Sequence, residues 1–210
     1  TGVIAITPKL VTDLIGLTGP IVIEGEEYNS NNFTQLLEYR VEKGYVQLGV
    51  SSWHRKEVIG EIVKEMKLRL LDQAKVNFYD VFNAVAINLK EKNILVSLND
   101  THLQALASEY NWTGDIIGGN SDYIFVVDSN MASLKTDAVM KRAIDYKLNQ
   151  ETNGLTGNLT LNYTHQGGND WRTSAYHTDT RVYLPSGAKL SGVEGIGKNE
   201  VSLSAENGKT

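Results

Sequence analysis

Cysteine is absent from the 210 residues. That excludes disulfides, thiolate metal sites and a cysteine nucleophile within this chain. No apolar run approaches the roughly 20 residues that a membrane helix needs, and no signal-peptide pattern is visible. A basic face is missing as well. Lys and Arg total 20 against 25 Asp and Glu, a net charge of −5, with no long Lys/Arg cluster. That argues against a nucleic-acid partner. The four histidines, His54, His102, His165 and His177, lack metal-binding spacing and read as surface or packing residues. There is no Gly-x-Ser-x-Gly elbow. Gly118-Gly119-Asn120 and Gly167-Gly168-Asn169 match neither a dinucleotide fingerprint nor a P-loop, and read as turns.

What is present is the composition of a folded chain, 41% hydrophobic and 21% charged. Gly2-Val3-Ile4-Ala5-Ile6 is short, apolar and β-branched, so it reads as a buried strand. Pro8 then opens a helix carrying Leu10, Val11, Leu14, Ile15 and Leu17, which Gly19-Pro20 stops. Ile21-Val22-Ile23 follows as a second strand. Strand, helix, strand with short connections is the βαβ pattern of a mixed or parallel sheet.

Further helices are expected over 33–42, 53–71 and from 77 or 80 to 89, the last with Phe78, Val81, Phe82, Val85 and Leu89 inside. Ile94 to Leu98 is a third strand, a helix capped by Asn99-Asp100-Thr101 follows, and Tyr123 to Val127 is a fourth strand.

The character changes after about Lys135. Met140, Arg142, Ile144, Tyr146 and Leu148 alternate with Lys141, Ala143, Asp145 and Lys147, the period of a half-exposed strand. Helical spacing is the rival reading. Asn153-Gly154 and Gly157 then make a turn, and Leu159, Leu161 and Tyr163 alternate with Thr160, Asn162 and Thr164, completing a hairpin. Strands are expected at 180–184 and 188–193, with a last alternating segment at 200–205. The fold class is therefore α/β, a mixed sheet with several helices over 1–135, followed by an antiparallel β module over 136–210. Both ends look abrupt, and a piece of a longer polypeptide is the expectation.

Ligands of open α/β sheets sit outside the carboxyl ends of the strands. The polar residues just after the expected strands are Thr7, Glu24, Asn99, Asp100, Asp128 and Asn130, and Lys135 adds a cation. Three such carboxylates could converge on a hard cation or hold a sugar. The structural alternative makes Asp100 a helix cap, Asp128 and Asn130 an Asx turn, and Glu24 a solvated residue. In the β part, Asp170, Arg172, His177 and Asp179 cluster near Trp171 and Tyr176. Trp171, Arg172 and Tyr176 would contact carbohydrate by stacking and hydrogen bonds; an ordinary loop is the alternative.

Several stretches, taken in order, resemble a known family. They are Gly2 to Pro8, Leu14 to Ile21, Asn31-Asn32-Phe33, Ile94-Leu95-Val96, Trp112-Thr113-Gly114, Asp122 to Asn130 with Lys135-Thr136-Asp137, Leu161 to His165, and Arg181 to Gly187. Their order is similar to that of the bacterial cell-envelope family catalogued as domain of unknown function four thousand and twelve. The likeness runs from Gly2 to about Leu190. It implies an extracytoplasmic domain at the cell surface, membrane-anchored through segments absent from this chain. The layout of the first part is also similar to that of the LytR–CpsA–Psr phosphotransferases at the level of fold, but their catalytic arginines and aspartates lie largely in a half this chain lacks. No active-site assignment carries over.

The leading expectation is an extracytoplasmic cell-envelope domain, structural, adhesive or binding a cell-wall glycopolymer. Its partners would be the cell-wall polymer or other envelope proteins. No catalytic residue and no cofactor is assigned. The runner-up is a LytR–CpsA–Psr-like glycopolymer phosphotransferase acting on a polyprenyl-pyrophosphate substrate, with a divalent cation near Asp100 or Asp128. A third reading is a subunit of a surface filament or lattice, with strand edges paired between chains.

Overall fold

Proline fixes φ near the helical value and lacks an N–H, so it suits the first turn of a helix. Pro8 begins α1 (Pro8–Thr18) directly after β1 (Gly2–Ile6), and Gly19, at φ 83°, ends it. These elements come from a computed structural model, which describes residues 1–72, 76–116, 122–152, 154–197 and 200–204. They fall into two compact units, Thr1–Ile116 and Ile117–Thr210.

In the first unit α1 turns Leu10, Leu14 and Ile15 inward. β2 (Ile21–Ile23) and β3 (Glu26–Tyr28) form an antiparallel hairpin. Glu24 and Gly25 connect them at φ 52° and 85°. Consecutive positive-φ residues match the right-handed twist of a two-residue hairpin loop. Next come α2 (Phe33–Tyr39), a π-helical turn (Arg40–Gly44) and α3 (Tyr45–Gln47). α4 (Glu57–Leu71), α5 (Phe78–Lys90), β4 (Ile94–Leu98) and α6 (Thr101–Glu109) follow. The core joins Leu10, Leu14 and Ile15 to Ile21, Tyr28, Phe33 and Val41, then to Val58, Ile62 and Met66 of α4 and Ile94 of β4.

Mixed helices with small antiparallel sheets give the broad α/β class. The expected βαβ unit is not what forms. β1 pairs antiparallel with β4, from Gly2↔Leu98 to Ile6↔Ile94, and β2 pairs with β3. A partner two residues away is the cheaper one for Ile21-Val22-Ile23, because closing a short loop sacrifices little chain entropy. β1 is not buried either. Val3, Ile4 and Ile6 are 66%, 65% and 51% exposed, on a sheet of two strands among the described residues. In α5 the inward stripe is narrower than expected. Val81, Val85 and Leu89 pack on the core, while Phe78 and Phe82 face solvent. α4 begins at Glu57 rather than at Trp53, whose side chain lies in solvent.

In the second unit β5 (Phe125–Asn130) pairs antiparallel with β8 (Thr178–Tyr183). A 3-10 turn (Thr136–Val139) leads into the long hairpin of β6 (Met140–Glu151) and β7 (Gly154–His165). Period two therefore prevails over the helical alternative. The ladder runs without interruption from Met140↔His165 to Glu151↔Gly154. The sequence places β5 with the α/β part, up to 135; its ladder with β8 instead puts it in the second unit. Residues 188–193, expected as a strand, are irregular, and Glu200 to Ser204 form no strand. The expected turn at Gly118-Gly119-Asn120, and positions 153 and 205, lie outside the described residues.

Candidate functional site

Arg142 is the one charged residue in the stripe Met140, Ile144, Tyr146, Leu148. A cation among apolar neighbours is favoured by a counter-charge or hydrogen-bond acceptors. Residues opposite one another in an antiparallel ladder project to the same face. Arg142 thus shares its face with Tyr163, and Asp128 shares its face with Thr180. The two pairs meet. Arg142 donates from Nη1 to Asp128 Oδ2 at 2.5 Å, and Tyr163 Oη and Thr180 Oγ1 each donate to Asp128 Oδ1 at 2.7 Å.

Burial alone would push the Asp128 carboxyl up. The three donors outweigh it and hold the group below its ordinary 3.8. Asp128 is therefore a carboxylate at neutral pH. The phenol of Tyr163 moves the other way, raised mainly by burial and by its bond to Asp128, with Thr180 opposing. It keeps its proton and remains a donor.

A second carboxylate borders the same groove. Asp137, in the 3-10 turn, accepts from Tyr176 Oη at 3.0 Å and from Asn130 Nδ2. The rings of Tyr163 and Tyr176 lie 6.3 Å apart, inclined at 36°. Phe125, Val126, Val127 and Met140 complete the lining of a groove of about 380 Å³.

The groove rests on a polar strap rather than an apolar core. Ser133, Thr136 and Thr173 are all buried. Asn130 Oδ1 accepts from Ser133 N at 2.7 Å, Ser133 Oγ accepts from His177 N at 2.7 Å, and Thr136 Oγ1 accepts from Ser174 N at 2.9 Å. Asp170 Oδ1 accepts from the backbone N–H groups of Arg172 and Thr173 at 2.7 and 2.8 Å, which lowers its pKa. These bonds tie the segment after β5 to the segment before β8, and so fix Asp137 and Tyr176.

Of the residues singled out from sequence, Asp128, Asn130 and Tyr176 come together here. Lys135, Trp171 and Arg172 stand in the supporting strap: Lys135 N donates to the Arg172 carbonyl at 2.8 Å, and Trp171 is half-buried. Glu24 and Asp100 belong to the first unit and to structural roles. Glu24 sits in the β2–β3 turn and pairs with the buried Arg40. Asp100 caps α6, accepting from His102 N and Leu103 N, both at 3.0 Å. The three carboxylates therefore form no common site. Among the described residues no three His, Asp or Glu side chains gather as metal donors. Arg142, Tyr163, Asp137 and Thr180 were missed as site residues. The charge within an apolar alternation was the available signal for Arg142, and the register then identifies Tyr163.

A second groove, of about 540 Å³, lies between α1 and α5. Its Asp13 is held by Lys9 at 2.6 Å and by the fully buried Asn88 at 2.9 Å, both of which lower its pKa. It lacks the aromatic pair. No family model, curated protein or solved structure matches the chain.

Proposed function

We propose that this chain is an extracytoplasmic cell-envelope domain that binds a cell-wall glycopolymer in the groove of its second unit. The supporting observation is the Tyr163–Tyr176 pair flanked by the Asp128–Arg142 ion pair and by Asp137. A pyranose ring offers an apolar C–H face and a rim of hydroxyls. Tyrosine rings suit the face, and fixed carboxylates suit the hydroxyls. Arg142 is already neutralised by Asp128, so the site favours hydroxyl-rich ligands over an isolated phosphate. The second support is the resemblance of its motif order to that of the envelope family, as read from the sequence. No helix among the described residues is long and apolar enough to cross a membrane. In this reading attachment to the membrane is made by sequence outside the 210 residues.

The test is titration with solubilised peptidoglycan fragments and with wall glycopolymer, followed by calorimetry. Tyr176→Ala is expected to weaken binding about tenfold, which corresponds to about 1.4 kcal/mol. The variant leaves the Asp128 network intact. Absence of binding to both polymers by the unaltered chain contradicts the proposal.

A further inference from the structure

In the groove Tyr163 Oη donates to Asp128 at 2.7 Å and Tyr176 Oη to Asp137 at 3.0 Å. The same pairing recurs outside it, where Tyr146 Oη donates to Asp122 Oδ1 at 3.1 Å. Tyr146 stands on the sheet face that carries the groove. Residues 142, 144 and 146 of β6 alternate onto one side; Arg142 lies opposite Tyr163, and Tyr146 lies opposite Leu159. The Tyr146 ring reaches across β7 to Gly157, where a Cβ would stand 2.6 Å from its Oη and 2.8 Å from its Cε2. Glycine at 157 thus keeps open the space that the phenol occupies. Between the groove and this ring the ladder sets Ile144 against Leu161. The face is open to solvent: Ile144 is 46% exposed and Leu148, beyond the ring, 43%.

We propose that the groove continues along this face into a second sugar subsite, built on Tyr146 with Asp122 and Gly157, so that the ligand is a strand of several sugar units. The inference rests on the glycopolymer reading of the groove and deepens it. The repeated tyrosine–aspartate pair carries it. The carboxylate fixes the phenol and so lowers the ordering cost of binding, and its remaining lone pairs accept ligand hydroxyls. The ring itself, only half-buried, offers apolar surface to the C–H face of a pyranose. Four residues separate Arg142 from Tyr146, roughly 13 Å along the strand. One sugar ring does not cover that span, whereas a short oligosaccharide meets both ends. Ile144 and Leu161, between the two tyrosine positions, suit the C–H faces of the sugars in the middle. No Lys or Arg stands on this stretch from Ile144 to Leu148 and from Gly157 to Leu161 to hold phosphate, so the strand it fits is one of sugar rings.

Calorimetric titration of the full chain with wall polysaccharide, fractionated into disaccharides and longer oligomers, tests it. The unaltered chain is expected to bind the longer oligomers about tenfold more tightly than the disaccharides. Tyr146→Ala is expected to abolish that gain and to leave disaccharide affinity unchanged; the retained affinity shows that the groove is still folded. Gly157→Ala should cause the same loss, because the added Cβ displaces the Tyr146 ring from β7. Affinity that does not depend on length, or a gain that survives both substitutions, overturns the subsite and leaves the groove reading standing. Binding of neither fraction by the unaltered chain overturns the groove reading and the subsite with it.

Discussion

Asp128 takes three hydrogen bonds, and two of its donors come from a different ladder than its own. Its side chain is 14% exposed, so water replaces little of what these donors supply. The lowered pKa makes its contribution pH-dependent with a definite sign. The stability it provides is present above the ordinary value of 3.8 and is lost as pH falls below that, through the folded value. Thermal melts of the unaltered chain should therefore lose stability below about pH 4. Asp128→Asn, which keeps the shape and drops the charge, should lose about 1–3 kcal/mol at neutral pH. It should also flatten that part of the acid dependence. An unchanged melting profile would contradict the network. The residue type and place of Asp128 were legible, since polar residues following a strand are natural site positions. Its partners were not, because Arg142 and Tyr163 become neighbours of Asp128 only when two ladders meet, and sequence spacing carries no such distance.

Elements were legible where the pattern was local. The period-two run from Met140 and the alternation of Leu159, Leu161 and Tyr163 correspond to a ladder of twelve-residue strands. The caps at Asn77 and Asp100 start α5 and α6. Pairing was less legible. Ile21-Val22-Ile23 reads as a strand, but its partner Glu26-Glu27-Tyr28 has a polar, acidic sequence that hides it. The turn between them lacks the usual Asn-Gly and uses Glu24-Gly25 instead. Gly25 at φ 85° has the backbone freedom this loop needs. Gly25→Ala should cost about 1 kcal/mol, measured by urea unfolding; an unaltered midpoint would show that the loop accepts a Cβ. Exposure of β1 was illegible for a related reason. A β-branched apolar run looks the same whether one or both faces are covered.

The two units are stabilised differently. Residues 1–116 close around an apolar core running from Leu10 to Ile94, with Ile15, Ile21 and Tyr28 almost wholly enclosed. In the second unit Val126 is the buried hydrophobic residue among those described, and Ser133, Thr136 and Thr173 occupy enclosed positions through hydrogen bonds. Buried polar groups hold a fold only when satisfied, and a satisfied network fixes geometry closely. That is the property a hydroxyl-reading groove requires, and it explains why a weakly apolar, Asn- and Thr-rich segment folds without cysteine. Composition revealed the change of character along the chain. It did not reveal the boundary, because β5 resembles the strands of the first unit yet pairs with β8. The central claim is that the groove of the second unit takes a glycopolymer. The most direct measurement is a residue-resolved NMR titration of the full chain with solubilised cell-wall glycan. Shifts should concentrate on Asp128, Asp137, Arg142, Tyr163 and Tyr176. Shifts confined to residues 1–116, or no shifts at saturating glycan, would contradict the account.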